Sequence, residues 1–257
     1  MMGTSIDGID IEKFQTPSSI EAMYFLLIAL FLFSFGMVPF FGHGDFINNI
    51  AGAISILVAL TSFLYAYKLY GWKSIEGKVW AILFFAMLIV LVSNLTSSFG
   101  YFRTYFVLRF MSIPILTFGL LLKVWYTGLN LDLSQKTTAA ILFIGWGLLT
   151  AISSVIPSLE VGFDYLANPY PIFAFAEIFS LLLAVLLIQT IKTRGWYFVA
   201  LGLLFISMGD IFHPLASVHG LIYPGSPIRL FWYIGMILAG YGAFHQRKEH
   251  IKLLENM

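Results

Sequence analysis

Eight apolar stretches, each long enough to cross a bilayer, leave this chain little alternative to a bundle of membrane helices. They run Ala22 to Phe41, Asn48 to Tyr70, Val79 to Phe99, Tyr101 to Tyr126, Thr138 to Ile156, Pro171 to Ile191, Trp196 to Leu215 and Ile228 to His245. A spanning helix needs roughly 17 to 25 predominantly apolar residues, and in hydrocarbon a backbone can satisfy its own polar groups only as helix or closed barrel. With no strand pattern in the sequence, the expected fold class is all-α: an integral membrane domain of eight transmembrane helices over 22–245. A tail over 1–21 precedes it and a basic tail over 246–257 follows. Charged residues make up 11% of the 257, with mean hydropathy +0.89, whereas a soluble domain carries about 25% charge. The Tyr101 to Tyr126 run is the weakest span, since it contains Arg103, Arg109 and Pro114.

Orientation follows from the cations, because Lys and Arg accumulate in cytoplasmic loops. Eight spans with a cytoplasmic C-terminus put Lys13, Lys68, Lys73, Lys78, Lys123, Lys136, Lys192, Arg194, Arg247, Lys248 and Lys252 inside. Arg103 and Arg229 fall at the outer surface and Arg109 within the membrane. Seven spans would set Lys68, Lys73 and Lys78 opposite Lys192 and Arg194, so the charges favour eight. The first tail holds Asp7, Asp10, Glu12 and Glu21 against Lys13, unlike the basic start of a secretory signal. Both termini are expected in the cytoplasm and the protein in the cell membrane.

The chain also echoes itself. Trp80 precedes Asn94 by fourteen residues, as Trp196 precedes Asp210, and each pair follows a basic loop and precedes an outer turn. A parallel duplication of four spans plus four accounts for this, since an even count keeps both halves in one orientation. The plainer account is that Trp favours the headgroup level.

Asp210 is the most costly residue in the spans, and a carboxylate at such a depth marks a functional site by default. At 1.5 Å per residue, it lies about 21 Å above the inner end of its helix. Glu177 lies about 9 Å and Arg109 about 12 Å below the outer ends of theirs. In a core roughly 30 Å thick all three share one outer layer, with Asn94, Ser153 and Ser154. His213 follows Asp210 by three residues on the same helix face, and His219 and His43 belong to nearby outer loops. The expected site is an outward-facing polar pocket under a lid containing Pro214, Pro224 and Pro227. Arg109 would grip an anionic head group, Glu177 and Asp210 would fix polar atoms or exchange a proton, Asn94 would add an amide, and His213 would gate the mouth. The competing reading is a structural ion pair that holds helices in register.

Other chemistries are excluded. The chain has no Cys, which removes thiolate nucleophiles and thiolate metal ligands. No lysine sits mid-membrane for a Schiff base, and no Gly-rich phosphate loop follows a strand. His213 and His219 are six apart across a proline, not at the i, i+4 spacing that puts two imidazoles on one helix face. No metal, no cofactor and no nucleic-acid partner is expected.

The stretch Gly209-Asp210-Ile211-Phe212, then Tyr223-Pro224-Gly225, Phe231-Trp232-Tyr233-Ile234-Gly235 and Gly240-Tyr241-Gly242-Ala243 resembles the closing helix pair of the multi-pass sensor regions of histidine kinases and diguanylate cyclases. Those regions carry an acid shortly before the Trp of the final span, where this chain has Gly225-Ser226-Pro227-Ile228-Arg229. The resemblance implies a sensor-like module with a separate output partner. The same segment is similar to the final helices of lysoplasmalogenase-type (YhhN-like) membrane enzymes, which have eight spans. That resemblance implies hydrolysis of an ether or vinyl-ether lipid, with Asp210 matching the second acidic motif and Ser93-Asn94 standing where the first would be. Asparagine is no general acid or base, so Glu177 would have to substitute. The expected function is sensing or binding of a ligand or membrane lipid without covalent catalysis. The lipid hydrolase is the alternative, and a structural subunit of a membrane complex the third reading.

Overall fold

The structure, a computed structural model, describes residues 5–6, 9–10, 18–41, 44–128, 131–155, 170–191, 193–221 and 226–255. Lys13, His43, Lys192 and Pro224 lie outside the described residues. Eight α-helices occur among them: α1 (Ser18–Phe41), α2 (Gly44–Tyr70), α3 (Ile75–Ser98), α4 (Phe102–Thr127), α5 (Leu133–Thr150), α6 (Tyr170–Ile191), α7 (Arg194–Val218) and α8 (Arg229–Glu255). A π-helical turn, Ala151–Val155, extends α5.

Local chemistry explains several boundaries. The Ser74 hydroxyl caps α3 by accepting from the Gly77 N–H at 2.9 Å. At α5, the Asp132 carboxylate accepts from the Gln135 N–H at 2.7 Å and the Gln135 side chain accepts from the Asp132 N–H at 3.0 Å, a reciprocal capping box. Helices α3 and α7 end in one device. Gly100 and Gly220 take φ values of 83° and 66°, a region that favours glycine. Their N–H groups donate to Ser97 and Ser217, and the next residues, Tyr101 and Leu221, reach back to the Thr96 and Ala216 carbonyls.

Helices α1 to α7 are each long and apolar enough to cross a membrane, and the chain is a multi-pass membrane protein. The weakest helix by hydropathy is not α4, as the sequence suggests, but α8. Its physical reason is position. Tyr233, Met236, Ile237, Leu238, Ala239, Tyr241, Ala243 and Phe244 are all buried, because α8 packs against α7, α2 and α1. A helix surrounded by protein is selected for fit, and Gly235, Gly240 and Gly242 supply it. A Cβ on Gly202 of α7 would sit 2.5 Å from the Gly235 carbonyl oxygen, and one on Gly242 would sit 2.5 Å from the Gly195 carbonyl oxygen. The small face of Gly235, Ala239 and Ala243 therefore meets an internal partner, α7. Helix α8 also runs to Glu255, so much of the segment read as a tail from residue 246 is helical.

Helix α3 packs on α4 and α2, α7 packs on α8 and α6, and the contacts of α2 with α8 are matched by those of α6 with α4. Trp80 of α3 and Trp196 of α7 are buried and stack on each other, with ring centroids 5.1 Å apart and planes at 16°. Neither serves as a headgroup anchor. One further departure lies in the first tail, where Ser5–Ile6 pairs antiparallel with Ile9–Asp10, although the sequence pattern announces no strand.

Candidate ligand pocket

Three elements bring the buried charges together. Arg109 lies on α4, Glu177 on α6 and Asp210 on α7, with 8%, 8% and 1% of their surfaces exposed. One guanidinium nitrogen, Arg109 Nη2, lies 3.3 Å from Glu177 Oε1 and 3.5 Å from Asp210 Oδ2. The other Asp210 oxygen, Oδ1, accepts from the Trp232 indole N–H at 2.8 Å. The common depth read from helix rises is therefore a common contact, and the helix rotations agree with it. Two carboxylates and one guanidinium balance electrically when one further positive charge, a proton or a cationic group, is added. Leaving such a charge unmatched in an apolar interior is costly.

A cavity of about 480 Å³ opens beside this triad, between α2, α3, α4, α7 and α8. Its walls include Arg109, Asp210, His213 and Asn94. Glu177 lines a smaller cavity of about 30 Å³ with Arg109, Ser112 and Ser180. Arg109 lines both spaces. The structure brings four of the five expected site residues to the large cavity and the fifth to the smaller one. His213 stands beside Trp232, with ring centroids 5.5 Å apart.

Of the three prolines of the expected lid, Pro224 lies outside the described residues and Pro227 is exposed. Pro214 is inside α7 and buried, four residues past Asp210, and does not cover the cavity. His219 caps the exposed end of α7. Ser153 is buried in the π turn and is not part of the cavity wall, while the side chain of Ser154 is outside the described residues. Among the described residues no three His, Cys, Asp or Glu side chains gather as a metal site requires.

Sequence reasoning missed Asn48, Tyr105, Arg229, Trp232 and Tyr233, all on the cavity wall. The Tyr233 hydroxyl donates to Asn48 Oδ1 at 2.5 Å, tying α8 to the N-terminal end of α2. The missed signal was positional. Asn48 opens the second apolar run and Arg229 sits at the start of the last, so both lie at helix ends on the side of the molecule that Asp210 approaches. Compared with protein-family models, with curated proteins and with solved structures, the chain matches none of them.

Proposed function

We propose that this is an eight-span protein of the cell membrane that binds a small ligand or a lipid head group in an outward-facing pocket, in the manner of a sensor and without covalent catalysis. The observation that carries this reading is the cavity of about 480 Å³ that reaches a buried carboxylate, Asp210. Its size is in the range of small-molecule sites. Helix α8 is the eighth span, which returns the C-terminus to the side of the N-terminus, in the cytoplasm. The matched packing of α3 with α4 and α7 with α8, the Trp80–Trp196 stack and the shared glycine endings support a duplication of four helices plus four. The pocket then lies where the two halves meet. A ligand there would act on the contact between the halves, which suits a sensor that signals to a separate membrane partner, as the likeness to sensor regions implies.

The alternative is hydrolysis of an ether or vinyl-ether lipid, with Asp210 and Glu177 as acid and base. The approach of both carboxyls to Arg109 favours it. Against it, Glu177 lines the cavity of about 30 Å³ and not the large one, where a substrate bond would lie. Mass spectrometry of the molecules that co-purify with wild type and with Asp210→Ala separates the readings. A defined compound present in the first and lost from the second is the expected result. Identical bulk lipid in both folded proteins sinks the pocket, and turnover of a vinyl-ether lipid that vanishes in Asp210→Asn decides for the enzyme.

A further inference from the structure

Charge and hydrogen-bond accounting around the cavity wall gives its ligand a chemical class. Among the described residues, the Asp, Glu, Lys and Arg side chains on that wall are Arg109, Asp210 and Arg229. Arg109 is already committed, with two carboxylates on one nitrogen. Asp210 is committed as well, to Arg109 and to the Trp232 indole. Arg229 differs. It is the first residue of α8, half-buried, and no carboxylate pairs with it among the described residues. It lies against the Tyr233 hydroxyl, which donates onward to Asn48 Oδ1. The Asn48 amide also carries two N–H donors, which suit an anion. The start of α8 adds the positive end of a helix dipole.

Resting on the reading of this cavity as a ligand pocket, we infer that Arg229, with Asn48, forms an anion-binding corner that takes the carboxylate or phosphate of an amphiphile, while Arg109 serves the acids. Arg is suited to the task because its planar fork meets either anion with two parallel hydrogen bonds. The ligand's body has apolar wall to lie on, in Ile56, Leu91, Leu95, Phe106 and Met236. A carboxylate or phosphate alone would fill only a fraction of 480 Å³. An ammonium head group would meet Arg229 as a like charge at this corner.

Native mass spectrometry of the full chain tests this with three probes: phosphatidylglycerol against phosphatidylcholine for a lipid source, octanoate for a free acid, and decyltrimethylammonium as the cationic counterpart. Wild type is expected to bind phosphatidylglycerol or octanoate in preference to the other two. Arg229→Gln is expected to weaken that binding about tenfold or more, the scale of one charged hydrogen-bonding pair, and Arg229→Lys to restore part of it. Lys248→Gln, which removes a cation that pairs with Glu21 at the other end of the molecule, is expected to leave it unchanged. If Arg229→Gln does not yield folded protein, Asn48→Asp tests the same corner by placing a like charge in it, and the anion should again be lost. Anion binding indifferent to both variants, or preference for the cationic amphiphile, overturns the inference. A neutral or cationic compound that co-purifies and depends on Asp210 overturns it too, yet leaves the pocket standing; absence of any compound and any probe binding removes both.

Discussion

Arg109 is the residue on which the interior balances. Removing its guanidinium leaves Glu177 and Asp210 buried together with no cation, and a broken buried pair costs about 3–5 kcal/mol. Arg109→Met is therefore expected to unfold at markedly lower denaturant in an SDS titration. Asp210→Asn should cost less, because the amide oxygen still receives the Trp232 N–H and Glu177 remains to pair with Arg109. Trp232→Phe strips Asp210 Oδ1 of its donor, a loss of about 1–3 kcal/mol, and should fall between the two in the same titration. An equal cost for all three would mean that the charges are not organised as described. The triad was legible in sequence because rise per residue fixes depth, and depth ruled out most other partners. Rotation about each helix axis is set by packing of side chains such as Trp80 on Trp196, which no linear pattern encodes. For the same reason the sequence did not separate Glu177 from the large cavity, nor bring Tyr233 onto Asn48.

Among the elements, α8 is the least conspicuous by hydropathy and the most embedded. Its glycines are where close approach decides the fold. Gly202→Val would bring a side chain onto the Gly235 carbonyl and the Ala239 backbone, at 2.5 and 2.7 Å from the first added carbon. Backbone on both sides cannot give way, so this variant is expected to lose the monodisperse peak in size-exclusion chromatography. Gly36→Ala, in open space on α1, should keep it. The seven apolar helices could be read from composition because lipid contact demands apolar side chains along nearly every face. The eighth, Ile228 to His245, was read by the same apolar criterion, although its surroundings are protein and demand shape. The paired residues at the start of the chain, Ser5–Ile6 with Ile9–Asp10, are too short to leave a periodic signal.

At the scale of the whole molecule, the eight-span reading places both ends on one side and the cavity on the other. Reporter fusions at residues 1 and 257 should give the same compartment, and opposite compartments would return α8 to a non-spanning role. The most direct test of an outward-facing pocket uses the lack of cysteine in the sequence, which makes any introduced thiol unique. Asn49 is exposed and on the cavity wall, whereas Lys248 is at the opposite end of α8. In intact cells, a membrane-impermeant maleimide applied from outside should label Asn49→Cys at once and Lys248→Cys only after permeabilisation. Labelling of Asn49→Cys only after permeabilisation would contradict the account, since the cavity would then face the cytoplasm.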